Sequence, residues 1–189
     1  MSSSVGAVSV EGVGPVGDLA TALRADSCTE LSEAVRVLLE GSFFQLSDDE
    51  VVEALREVEV CARQLVVVSR RLTIEAAERK LPKNTGADTV RRFLVETLRL
   101  SSADAGARAK AAEELGTWHD IGGEPKPVKF ALAAAAQADG DISADHVRAI
   151  EKAMNRLPDK CSPTEREAAE VHLVTYARTG WPDDVVKVG

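Results

Sequence analysis

Residues Ser47 to Lys80 read SDDEVVEALREVEVCARQLVVVSRRLTIEAAERK, without a Gly or a Pro. Ser47 can accept a hydrogen bond from a free amide of the first helical turn, and Glu50, three residues on, can reach back to Ser47's own amide. Ser-Asp-Asp-Glu is therefore a capping box. Apolar residues recur at helical spacing through Val51, Ala54, Val58, Cys61, Leu65, Val68 and Leu72, with a second row at Val52, Leu55, Ala62, Val66 and Ser69. The spacing predicts one long helix with a wide apolar face, around which the rest of the chain is expected to pack. The competing reading of Leu65 to Val68 as a strand rests on three consecutive β-branched Val, but no turn signals bracket the run.

The flanking sequence gives the same class. Met1 to Gly17 has no period and reads as a mobile arm, followed by short amphipathic patterns at Asp18 to Ala25 and Glu30 to Glu40 that Gly41 ends. Phe44 or Leu46 is placed to staple onto the first turns after Ser47. Leu81 to Gly86 reads as a loop. Helical patterns then cover Ala87 to Leu98, Ala103 to Leu115 with Ser101 or Ser102 as cap, Val128 to Ala138, Ala144 to Leu157 after Ser143, and a helix from Pro163 to Ala177. Ser162-Pro163-Thr164-Glu165 is the clearest helix start, combining a cap, an N1 Pro and an N3 Glu. Trp118 to Pro127 is irregular, and Trp181 to Gly189 opens a further helix. The fold class is all-α, a multi-helix bundle around a long central helix, with residues 1–46 as an acidic arm and 47–189 as the helical domain.

At 189 residues the chain is long enough to bury a core. Its net charge of −8 is uneven: residues 1–50 hold nine acidic and two basic side chains, whereas Cys61 to Lys110 holds eleven Lys and Arg against five Asp and Glu. Only this window favours a polyanion. Cys28, Cys61 and Cys161 are too scattered for a zinc or redox motif and read as reduced, mostly buried thiols. No secretory signal and no apolar run of about eighteen residues is found, so the expectation is a cytoplasmic protein with no membrane partner.

Candidate chemistry is sparse. Arg56, Arg63 and Arg70, seven apart, lie on one side of the long helix as either a solvated, partly paired face or a phosphate- or partner-facing stripe. Phe93 to Leu115 is laid out as helix, short turn and helix, open to reading as plain bundle helices or as a helix-turn-helix. If nucleic acid is bound, the contacts are expected from Arg91, Arg92 and Arg99 before the turn and Arg108 and Lys110 after it, weakly and without sequence preference. Asp139, Asp141 and Asp145 suit helix N-termini better than a metal site, and His119, His146 and His172 have no ligand-spaced neighbours. No catalytic residue, metal or cofactor is assigned. Trp181, at the head of the last helix, is the expected self-association contact.

Several islands stand in a recognisable order: Leu100-Ser101-Ser102-Ala103-Asp104-Ala105, Ala111 to Leu115, Gly123-Glu124-Pro125, Ala134 to Gly140 with Ile142 to Val147, Asn155 to Pro158, and Arg166 to Glu170. In this order they resemble the actinobacterial domain of unknown function 222, and most closely the mycobacterial 13E12 repeat family. The resemblance covers about Ser47 to Gly189. It implies a helical module that usually precedes a C-terminal HNH endonuclease domain, and hence an association with DNA. The paired His and metal cluster of an HNH site are missing from this chain, so a non-catalytic module is expected. Gly106, Ala107 and Ala109 stand where the family tends to carry Arg, which weakens an inherited DNA contact. A protein-interaction or oligomerisation module is the alternative.

Overall fold

The computed structural model describes residues 25–188. The arm and the first short pattern expected ahead of Ala25 lie outside them. Among the described residues the regular structure is helical throughout: α1 (Ala25–Glu40), α2 (Asp48–Glu78), α3 (Leu81–Asn84), α4 (Val90–Leu98), α5 (Ser102–Leu115), α6 (Ala131–Ala138), α7 (Ala144–Met154), α8 (Pro163–Ala177) and α9 (Pro182–Val188). An isolated bridge between His119 and Pro125 is the nearest thing to a strand pair. The described residues fall into two compact units that divide between Val51 and Val52.

In the first unit, α1 carries Leu31, Val35, Leu38 and Leu39 on its surface, all exposed. The capping box ahead of α2 forms as the sequence predicts: Ser47 N–H donates to Glu50 Oε2 at 2.7 Å, and Glu50 N–H donates to Ser47 Oγ at 3.4 Å. Phe44 does not staple onto the new helix. It is 95% exposed, because the turn closed by Leu46 N–H on Phe43 O carries its ring outward.

The core of the second unit lies among α5 to α9. Phe130, Ala133, Ala136, Ile142, Val147, Ile150, Leu173, Val174 and Val185 are buried there, joined by Leu115 at the end of α5. Ala133 and Ala136 stand among the larger Phe, Ile, Leu and Val side chains of this core and, like Ala105 on α5, lose nearly all solvent contact. α4 and α5 pack together, and Leu94 and Ala105 are buried on them. α9 closes onto α7 and α8, burying Val185 completely while Trp181 stays 76% exposed.

Local chemistry explains the helix ends. Thr89 caps α4, Ser101 caps α5 and Ser162 caps α8 in a full capping box. Ser143 also forms a capping box, completed by His146 at N3: Ser143 N–H donates to His146 Nδ1 at 3.2 Å, and His146 Nε2 lies 3.1 Å from Gly180 O. Residues 81–84, expected as loop, form one helical turn because Pro82 sits where a helix start needs no amide and Thr85 closes the other end. α6 begins at Ala131 rather than Val128, and no side chain of Phe130 caps it. Glu170, from α8, does so instead, accepting from Leu132 N–H at 2.9 Å and Ala133 N–H at 3.0 Å.

α2 joins this unit by the face that carries Arg63, Gln64 and Arg70 and by its C-terminal end. Arg63 donates to the carbonyls of Gly140 and Asp141, and Gln64 Nε2 donates to Ala138 O, so α2 satisfies the free C-terminal end of α6. Gly140, at φ 84°, allows this approach: a Cβ there would press on Val60. Gly116 likewise leaves room for Ile74. Of α2's own residues only Arg70, Thr73 and Ile74 are buried.

Candidate functional site

The apolar row that makes the long helix legible is largely left uncovered by the body of the second unit. Leu55, Val58, Leu65, Val66, Val68 and Leu72 are all exposed, Leu65 by 40% and Leu55 by 67%, and of these Leu65 and Val66 also edge the groove that α2 makes with α5 and α7. Val51, Val58, Leu65 and Leu72 stand seven residues apart, as do Ala54, Cys61 and Val68. A repeat of 3.5 residues is the seam of a coiled coil, not the wider stripe of a helix buried in a globular core. It extends over roughly 32 Å at about 1.5 Å per residue. Cys61 belongs to this seam and is exposed, as is Cys28 on α1, so the burial expected for these thiols is corrected. Cys161 is half-buried.

Charge reverses along the same helix. Residues 48–59 carry six Asp and Glu and one Arg, whereas residues 60–80 carry five Arg and Lys and two Glu. Glu57 and Arg71 flank the seam in equivalent positions of the seven-residue repeat, and both are exposed without a salt bridge inside the chain. The three Arg of the stripe meet different fates. Arg56 pairs with Glu53 at the surface, Arg63 pairs with Glu59 and holds the end of α6, and Arg70 is buried.

The basic residues expected to face nucleic acid lie on α4, on α5 and at the turn between them. Arg91 reaches across the turn to Ser102 O at 3.0 Å, and Arg92 holds Glu96 and Asp88. Arg108 grips Asp104 with two bonds of 3.1 Å. Lys110 Nζ bonds Glu151 Oε2 at 2.8 Å and lies 3.4 Å from Glu114 Oε2. The bond to Glu151 raises the Lys110 pKa, and burial pushes the Glu151 carboxyl up. Arg99, at the left-handed C-cap of α4, is exposed and holds no carboxylate. Four of the five expected contacts thus already have partners within the chain.

Asp139 and Asp141 face Arg178, with Asp141 Oδ2 3.3 Å from Arg178 Nε, and Asp145 pairs with Arg148. Among the described residues no group of three or more His, Cys, Asp or Glu is arranged to hold a metal. His119 receives Glu78 instead: its N–H donates to Glu78 Oε1 at 2.7 Å and holds the Glu78 carboxyl below its ordinary pKa. His172 is exposed on α8. No helix among the described residues is long and apolar enough to cross a membrane.

Fold and surface together define an all-helical domain with one long helix turned outward. Residues 52–189 match the family described as "Domain of unknown function (DUF222)", and the chain belongs to that family. Its relatives include Uncharacterized protein Rv1945 of Mycobacterium tuberculosis and Uncharacterized protein Mb1179c of Mycobacterium bovis. Each is 28% identical over 168 residues, covering 85% of this chain and 37% of the relative. A shorter match, 33% identical over 95 residues, covers 50% of this chain and 21% of Uncharacterized protein MT1741Mb1728c of M. tuberculosis. The chain therefore spans little more than a third of the relatives it matches most fully. No solved structure matches it significantly.

Proposed function

We propose that this domain is a non-catalytic self-association module, in which α2 pairs antiparallel with α2 of a second copy. The observation that carries this reading is a coiled-coil seam exposed on a helix whose charge reverses from end to end. A second copy, turned by two-fold symmetry, sets the acidic half of each helix beside the basic half of the other. In the register centred at residue 63, Val58 meets Val68, Leu65 meets Cys61, Leu72 meets Ala54, and Glu57 lies beside Arg71 twice. A parallel pair would instead align like charges throughout. Exposed apolar surface rimmed by charge is the ordinary mark of such a contact.

The association with DNA implied by the family resemblance is less well supported by the geometry. A phosphate would have to displace the partners of Arg91, Arg92, Arg108 and Lys110, leaving Arg99 as the free cation among those five.

Sedimentation equilibrium from low to tens of micromolar tests the proposal. Wild type should weigh twice the chain mass at the upper end, and Leu65→Asp should remain a monomer of unchanged helicity. A wild-type monomer throughout would refute the pairing. So would a Leu65→Asp variant that melts well below wild type while both are monomeric, because the seam would then be covered within the chain. Monomers that bind random duplex DNA, with an affinity that falls with salt and with Arg99→Ala, would give the function to nucleic acid instead.

A further inference from the structure

On the flank of α2 that faces α5 and α7 lies a groove of about 440 Å³, walled by Ala62, Leu65, Val66, Ala107, Ala111 and Val147, so that Leu65 stands where the seam and the groove meet. Two polar side chains interrupt this apolar wall from below. Arg70 is 6% exposed, and its guanidinium makes no hydrogen bond or ion pair; Nη1 is shut off from solvent. Gln137 is 1% exposed, and its Oε1 likewise has no donor.

A guanidinium cannot shed its proton in a protein, so a buried and unpaired Arg is a costly arrangement for a fold to keep. The other charged residues on the groove offer it no relief. Asp104 is held by Arg108, Glu151 by Lys110, and Arg148 is engaged with Asp145. One positive charge is left over, set in a space of the size that takes small ligands.

We propose that the groove binds an amphipathic monocarboxylate, with its carboxylate on Arg70 and its hydrocarbon chain along the apolar wall. A planar carboxylate matches the guanidinium fork with two bonds. A single charge suits the site better than a phosphate dianion, which would also face the carboxylates of Asp104 and Glu151.

Titration calorimetry on the full chain decides the matter with octanoate, 1-octanol and octylamine as probes. Octanoate should bind at least tenfold more tightly than octanol, and octylamine should not bind. Arg70→Met should bind octanoate more weakly by tenfold or more yet melt no lower than wild type, since it removes an unpaired buried charge. Absence of octanoate binding at millimolar concentration would overturn the proposal, as would equal binding of octanol or retention of octanoate by Arg70→Met. A lower melting temperature for Arg70→Met would also overturn it, by showing that the guanidinium serves the fold. Arg70→Lys, which keeps a cation without the fork, should bind octanoate with intermediate affinity; octanoate affinity equal to that of wild type would remove the two-bond geometry from the account.

Discussion

At the scale of single residues, polar side chains do most to fix where helices begin and how they meet. Ser47 with Glu50 and Ser162 with Glu165 are legible in the sequence because a capping box is a contact across three residues and needs nothing distant. His146 does the same work at Ser143 but carries no such signature, since a ring nitrogen replaces the usual carboxylate. Arg70 shows the opposite limit. Its seven-residue spacing from Arg63 and Arg56 points to a shared face, yet only the docking of α2 on α5 and α7 decides that Arg70 is buried and Arg56 is not. Glu78 gives a pH prediction at this scale. Its folded pKa is lowered by the His119 amide, so its contribution is present above the unfolded carboxylate value of about 4.5 and is lost as pH falls through the folded one. Glu78→Gln keeps an acceptor for His119 N–H but no charge. The stability gap between wild type and Glu78→Gln, measured by urea unfolding, should be largest near neutrality and close as pH falls below about 4; a gap that widens on acidification would contradict this assignment.

At the scale of elements, the contrast between α6 and α2 is instructive. α6 is a short Ala-rich helix with no cap of its own, and its two ends are satisfied by other helices, Glu170 of α8 at the start and Arg63 and Gln64 of α2 at the finish. Its existence could be read from Ala131 to Ala138, but these partners lie 37 to 78 residues away and left no local trace. Truncation of the buried Glu170 to Ala leaves two amides without acceptors and should cost about 1–3 kcal/mol in chemical denaturation; a loss below a few tenths would mean that the α6 start is satisfied otherwise. For α2 the amphipathic pattern gave the helix, its length and its cap. It did not give the direction of the apolar face, because a stripe in sequence records that something covers it and not whether the cover is intramolecular. The seven-residue period of Val51, Val58, Leu65 and Leu72 was the available signal, and it points to a helical partner rather than to a core. The buried core instead gathers on the later, small-faced helices.

At the scale of the whole molecule, charge reverses once early in the chain. Residues 1–60 hold twelve Asp and Glu against three Arg, Cys61 to Lys110 five against eleven Lys and Arg, and the boundary between them falls in the middle of α2. On α4 and α5, Arg92, Arg108 and Lys110 are each paired with carboxylates of the same or an adjoining helix, whereas Glu57 and Arg71 beside the exposed seam have no salt bridge within the chain. Antiparallel pairing of two copies uses both halves of that reversal at once. Its most direct test is a charge exchange at the flanking positions, with mass read by sedimentation equilibrium at tens of micromolar. Glu57→Arg alone and Arg71→Glu alone should each shift wild type from dimer toward monomer, since each places like charges together twice, and the double variant carrying both changes should return to the dimer. A double variant that stays monomeric while wild type is dimeric, or single variants that dimerise as well as wild type, would contradict the antiparallel pairing of α2.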